Sequence, residues 1–345
     1  MKAALAVLAA LLLVLGLSTT AAMATTPPAP AGPATQAAGQ SSSNSQTATS
    51  NATSTQTAPT NYNIPVRVLS SGDDGSVSQS NDSTAASGAI NLNKTDQATA
   101  QQQSGAGTQA AGQDNSSDQS ASSTATSTQD HATNYNIPVR VLSDGNDGSV
   151  EQSNSSTALS VAANANKTGQ DIHQQQAGGG GSGAPYVQAA GQDNSSEQSA
   201  DSTATSTQDH ATNYNIPVRV LSEGNGGTVA QSNASTALSV AANLNKTGQQ
   251  IGQQIGQHQA GGGYSPAPYV QAAGQDASND QDASSTATST QSHATNYNIP
   301  VRVLSPGNDG SVEQSNSSTA LSLALNANAL CQSIWQKQGL QMLRR

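Results

Sequence analysis

Thr-Asn-Tyr-Asn-Ile-Pro-Val-Arg-Val-Leu-Ser runs from Thr60 to Ser70 and returns unchanged at Thr133–Ser143, Thr212–Ser222 and Thr295–Ser305. A segment repeated without change marks a repeat architecture, in which each unit is one supersecondary element that buries its inner face against its neighbours. Within the segment Ile137, Val139 and Val141 fall on alternate positions, and β-branched residues at period two read as a strand. Arg140 and Leu142 occupy the opposite face. Pro138 cannot donate to a ladder, so it belongs at the start of a strand or on an edge.

The unit extends outward on both sides. Gln-Ala-Ala-Gly-Gln opens each copy at Gln36, Gln109, Gln188 and Gln271, and successive starts lie 73, 79 and 83 residues apart. From Ala111 to Gln129 one alternating face reads alanine, glutamine, asparagine and serine, and the other is acidic and hydroxylated. That pattern predicts a long strand. After the repeated segment, Ser143-Asp144-Gly145-Asn146-Asp147-Gly148-Ser149 is dense in residues that tolerate positive φ. A second strand opens at Val150, with Gln152, Asn154, Ser156, Ala158, Ser160, Ala162 and Asn164 again forming an amide and small-residue face. Two strands about such a turn predict a hairpin.

The expected fold is an all-β repeat of hairpin or β-solenoid-like units stacked through four copies and joined by flexible Gly/Gln-rich linkers. Gly178–Gly181 and Gly261–Gly263, beside Gln174–Gln176 and Gln253–Gln254, supply those linkers. The expected units are residues 36–108, 109–187, 188–270 and 271–319. Residues 1–24 read as a secretion signal, with Lys2, an apolar run from Ala3 to Leu17 and a small-residue cleavage site at Ala22-Met23-Ala24. That run is too short for a transmembrane helix, and no second one follows. Residues 25–35 read as a disordered Pro/Ala-rich leader. In residues 320–345, Leu323, Ala327, Leu330 and Ile334 fall at helical spacing and predict a short C-terminal helix that caps the fourth unit.

Composition restricts function. Leu, Ile, Val and Phe make up roughly 14 % of the chain, below the fifth at which an ordinary apolar core becomes untenable. Polar chains of low charge have another route to order, in which backbones pair and Gln, Asn, Ser and Thr side chains stack in ladders. The net charge of −10, with eleven scattered Lys and Arg, argues against nucleic-acid binding. The single thiol, Cys331, excludes an internal disulfide framework and reads as a buried bystander.

Regularly spaced Gln and Asn alternating with Ser and Ala resemble the curlin repeat of bacterial surface amyloids. The Asn-Ile-Pro-Val-Arg-Val stretch with its Gly-Asn turn is similar to the valine-rich hairpins of chaplins, whose cysteine pair this chain lacks. The resemblance implies a secreted, self-associating coat protein and carries over no site.

Other motifs favour plain readings. The Asp144-Asn146-Asp147 turn could offer oxygens to calcium, yet the third copy reads Gly224-Asn225-Gly226-Gly227, so a turn is the expectation. His131, His210 and His293 recur before the segment, with Ala58 in the first copy, and read as exposed polar fillers unless stacking aligns them. Thr124, Thr126 and Thr128 form a threonine face of the kind that orders water. Asn-x-Ser/Thr triplets are frequent, as composition alone dictates. No nucleophile elbow or phosphate-cradling loop occurs. No catalytic, cofactor or metal residue is assigned and no enzyme is expected.

The expected function is that of a secreted structural surface or matrix protein, acting by β-mediated self-association or adhesion at the cell surface. The strands assigned to self-association are Ile64, Val66 and Val68; Ile137, Val139 and Val141; Ile216, Val218 and Val220; and Ile299, Val301 and Val303. The expected partner is the protein itself, with other surface proteins or polysaccharide as further candidates. A disordered hydrophilic spacer is the alternative, and an ice- or ligand-binding repeat a lesser one.

Overall fold

A computed structural model describes residues 19–29, 34–179, 185–259 and 268–342. After β1 (Thr19–Ala29), the first unit contributes β2 (Ala34–Thr57), β3 (Thr60–Asn63), β4 (Val66–Val68) and β5 (Val77–Ser104). The second unit repeats the order in β6 (Gly107–Asp130), β7 (Thr133–Asn136), β8 (Val139–Val141) and β9 (Val150–Gly179). The third gives β10 (Tyr186–Asp209), β11 (Thr212–Asn215), β12 (Val218–Val220) and β13 (Val229–Gln259). The fourth gives β14 (Tyr269–Ser292), β15 (Thr295–Asn298), β16 (Val301–Val303) and β17 (Val312–Met342).

Each unit is one rung of a β-solenoid. Equivalent strands of successive units pair in parallel and in register, giving sheets β2-β6-β10-β14, β3-β7-β11-β15, β4-β8-β12-β16 and β1-β5-β9-β13-β17, written here as sets of neighbours. Gln36 therefore lies beside Gln109, Gln109 beside Gln188, and Gln188 beside Gln271. The solenoid expectation holds. The hairpin does not: among the described residues every strand pair is parallel, and the two long arms of one unit belong to different sheets. A turn rich in Gly, Asn and Asp reverses the chain either way. Whether the arms then pair by backbone or face each other by side chain depends on what else offers backbone partners, and here identical neighbouring copies do.

The two arms pack through the amide and small-residue faces that period two singles out. Ala125, Ala158 and Ala204 are fully buried in one alanine layer, and Ala121, Ala162 and Ala200 form another. Glutamine stacks link the rungs: Gln109 Nε2 donates to Gln36 Oε1 at 3.1 Å, Gln188 to Gln109 at 2.9 Å and Gln271 to Gln188 at 3.0 Å. The same amides also reach the opposite arm. Gln113 Nε2 donates to Gln40 Oε1 at 3.0 Å and to the carbonyl of Asp171 at 2.9 Å. A buried amide left unpaired costs about 1–3 kcal/mol, so this double use of each NH₂ is what makes a polar interior tolerable.

Two bends complete each rung. Ala58, His131, His210 and His293 turn the first with φ near +50°, and Leu69, Leu142, Leu221 and Leu304 turn the second. Pro138 lies between β7 and β8, where its missing N–H is harmless and its carbonyl accepts from Val218 N at 2.8 Å. At Gly145 (φ 137°) the turn stacks so closely that an added Cβ would sit 2.1 Å from the carbonyl oxygen of Gly72.

Two further expectations need correction. The short C-terminal helix is absent: residues 320–342 continue β17, in register with β13 from Leu238↔Leu321 to Gln259↔Met342. The Gln-rich joints are not linkers, because Gln174 and Gln253 are fully buried in a ladder, Gln253 Nε2 donating to Gln174 Oε1 at 2.8 Å. The Gly180–Gly181 and Gly261–Gly263 portions lie outside the described residues. The long arms pair with their neighbours along their whole length. Residues 1–18 of the expected signal and 30–33 of the leader lie outside the described residues. Between them, β1 pairs with β5 from Thr19↔Lys94 to Ala29↔Gln103.

Candidate functional site

The self-association residues form three columns along one side of the solenoid: Ile64/Ile137/Ile216/Ile299, Val66/Val139/Val218/Val301 and Val68/Val141/Val220/Val303. Their side chains point outward. In the middle rungs stacking half-buries them, whereas Val66 is 62 % exposed in the first rung and Val303 47 % in the last. Tyr62, Tyr135, Tyr214 and Tyr297 form an adjoining column, with centroids 4.9, 4.8 and 4.9 Å apart and nearly parallel rings. Burial, then Tyr214 and Tyr62, push the Tyr135 phenol above its ordinary value.

The apolar residues lie outside because the inward face of this segment is polar. Arg140 and Arg219 are 1 % exposed. Arg140 Nη2 lies 2.9 Å from Asp74 of the rung before, and its Nε 3.2 Å from Asp147 of its own turn. Arg219 Nη2 lies 2.8 Å from Asp147. Each guanidinium also ties the turn shut: Arg140 donates to the carbonyls of Gly72 at 2.7 Å and Asn146 at 2.8 Å, and Arg219 to Gly145 and Asn225 at 2.9 Å each. Where the third copy has Gly226 in place of the aspartate, Arg219 relies on Asp147, and Arg302 pairs with its own Asp309 at 2.5 Å. A cavity of about 690 Å³ runs inside this bend, lined among others by Pro65, Pro138, Pro217, Arg67, Asp74 and Asp147.

Sequence reasoning placed Arg140 opposite the valines but missed its burial. The signal was present: the arginine shares its alternate positions with Asn134 and Asn136, and an aspartate follows seven residues later in three of the four copies. These aspartates hold arginines, which gives the turn a structural role.

The ends of the stack differ from its middle. Inward-facing Leu330 and Ile334 of the last rung are each 47 % exposed, while their register partners Thr247 and Ile251 are 1 % and 0 % exposed. Among the described residues, β14, β15, β16 and β17 each have one neighbouring strand. The outer face of the second arms carries Leu159, Leu238 and Leu321 in one column, and Val161, Val240 and Leu323 in the next. Cys331, expected to be buried, is exposed on the last rung.

The first arms present a threonine grid: Thr124/Thr203/Thr286, Thr126/Thr205/Thr288 and Thr128/Thr207/Thr290, with Thr53 and Thr55 continuing the last two columns into the first rung. The histidines, spaced far apart in the chain, are also brought together. His131, His210 and His293 stack at the first bend beside Asp130 and Asp209. The Ser292 hydroxyl, and after it the two imidazoles, hold the Asp209 carboxyl below its usual range.

No helix among the described residues is long and apolar enough to cross a membrane. Comparison with protein-family profiles, with curated proteins and with solved structures finds no match to the chain.

Proposed function

We propose that the protein is a secreted structural component of a cell surface or extracellular matrix and works by end-to-end β-association with copies of itself. One observation carries this reading: among the described residues the last rung has no further strand against it, and Leu330 and Ile334 stand half-exposed where their register partners one rung earlier are buried. An open, in-register parallel edge is a template for another chain. A second copy placed on β14–β17 would cover Leu330 and Ile334 as the fourth rung covers Thr247 and Ile251. The outward valine, isoleucine and tyrosine columns would then run on from copy to copy as one continuous stripe, suited to lateral contact between fibres.

The test is assembly by Leu330→Lys/Ile334→Lys, read by thioflavin fluorescence and electron microscopy. Both side chains are half-exposed in the single molecule, so the variant should keep its β circular dichroism. Addition of a copy would bury two ammonium groups without partners, which is prohibitive, so fibre growth should stop. Growth at the unaltered rate would refute the end-to-end reading, and a random-coil spectrum of the parent chain would favour a spacer.

A second reading rests on the threonine grid. Hydroxyls repeat about every 4.8 Å across rungs and roughly 6.7 Å along the strands, a flat array able to order water against ice. Thermal hysteresis abolished by Thr126→Leu/Thr205→Leu/Thr288→Leu would support it, and an unchanged freezing point in the parent chain would end it.

A further inference from the structure

The first bend of every rung passes through a left-handed residue: Ala58, His131, His210 and His293, with φ between 49° and 52°. Such backbone is uncommon for residues with a Cβ, although histidine tolerates it better than most. The bend fixes the direction of the side chain, so the imidazoles leave the solenoid side by side. Their centroids lie 4.7 and 4.4 Å apart and their planes within 4° and 8°. The preceding residue supplies Asp130 in the second rung and Asp209 in the third. His131 Nδ1 is 2.6 Å from Asp130 Oδ1, His210 Nδ1 is 3.0 Å from Asp209 Oδ1, and His293 Nδ1 is 3.4 Å from that same oxygen.

We propose that this column binds divalent transition-metal ions of the zinc and copper class, through Asp130, His131 and His210 and through Asp209, His210 and His293, with His210 common to both sets. In each trio the candidate ligand atoms lie within 4.8 Å of one another. Metal–ligand bonds of about 2.0–2.2 Å place tetrahedral ligand atoms roughly 3.3 Å apart. The carboxylate–imidazole pairs already straddle that value, and the third ligand reaches it by a side-chain rotation. Rotation is free at this bend, because the His131, His210 and His293 side chains are 59 %, 45 % and 69 % exposed. Two imidazoles and one carboxylate leave a coordination position for water.

The donor set selects the ion. Calcium takes six to eight oxygens, and each trio offers one carboxylate. Imidazole suits zinc, copper and nickel, with copper(II) bound most tightly. An ion in either trio ties successive rungs together through side chains, and binding confined to the folded stack stabilises it by mass action. The first rung, with Thr57 and Ala58, offers no ligand, so the clamp spans the second to fourth rungs. The inference rests on rung stacking alone and holds whether or not the chain forms fibres.

Calorimetric titration of the intact, monomeric chain with zinc chloride, and nitrogen hyperfine couplings in the electron paramagnetic resonance of its copper(II) complex, test the site. Saturable zinc binding and imidazole-nitrogen couplings are expected. His210→Asn keeps a residue that tolerates the left-handed bend and should weaken zinc by about tenfold or more. Asp130→Asn/Asp209→Asn should do the same without touching the bend. His173→Ala, which removes an exposed histidine from the second arm, should change nothing. Circular dichroism confirms that each variant folds. Binding unaffected in both His210→Asn and Asp130→Asn/Asp209→Asn, or lost in His173→Ala, would overturn the proposal, as would the absence of zinc binding to the parent chain.

Discussion

Asp147 sits between Arg140 and Arg219, and both arginines are buried. A buried guanidinium is stable only while a carboxylate and carbonyls replace the water it has lost. Arg140 would keep Asp74 if Asp147 were neutralised, but among the described residues Arg219 has an ion pair with Asp147 alone. Asp147→Asn should therefore destabilise the stack by about 3–5 kcal/mol, whereas Asp74→Asn should cost clearly less, since Arg67 is partly exposed and Arg140 retains Asp147. Urea titration of the two variants checks the order, and equal losses would contradict it. The tyrosine column gives a pH dependence at the same scale. Burial and the neighbouring phenols raise the Tyr135 pKa above 10.0. A group raised on folding contributes its full stability below its unfolded value and loses it as pH rises through the folded one. The contribution of Tyr135 to stability should thus be constant below pH 10.0 and fall above it. Phenolate absorbance should show a late-ionising component that Tyr135→Phe diminishes.

At the scale of the element, the arms are strands because their polar residues alternate, and they face each other because the inner residues are small. Ala158 is fully buried between Ala125 and Ala204. Ala158→Leu overpacks this layer and should destabilise by about 1–3 kcal/mol. Ser155→Leu, on the outer face of the same strand, should leave the melting temperature nearly unchanged. Period two made both faces legible from the residues alone. The sequence of β17 predicts a helix instead, because Leu323, Ala327, Leu330 and Ile334 would share one helical face, whereas in the strand Leu323 and Ala327 lie on one face and Leu330 and Ile334 on the other. A neighbour decided it. β13 offers a full row of backbone groups in register, and a paired ladder outweighs the few tenths of a kcal/mol per residue by which local propensity differs.

At the scale of the whole molecule, the two ends of the stack are unlike. Among the described residues no strand covers the last rung, while β1 covers part of the first through Thr19↔Lys94 to Ala29↔Gln103. The expected cleavage point after Ala24 falls inside β1, so removal of the signal would strip the partners of Lys94–Thr99 and leave the pairs from Thr25↔Ala100 onward. Seeded fibre growth should accordingly be faster for a chain beginning at Thr25 than for one beginning at Thr19. Equal rates would show that β1 is no barrier to association.

Alternation, turn chemistry and four identical segments determined that this chain is a stack of β units whose strands carry one amide and small-residue face, because period and repetition are local properties of a sequence. Three features were decided only by the tertiary structure: parallel pairing between copies in place of hairpins within them, burial of Arg140 and Arg219 beneath outward valines, and the gathering of His131, His210 and His293 into one column. The physical reason is common to all three. Each depends on a partner in a neighbouring rung, 66 to 83 residues away, and only the in-register rung-to-rung ladder sets which distant residues meet.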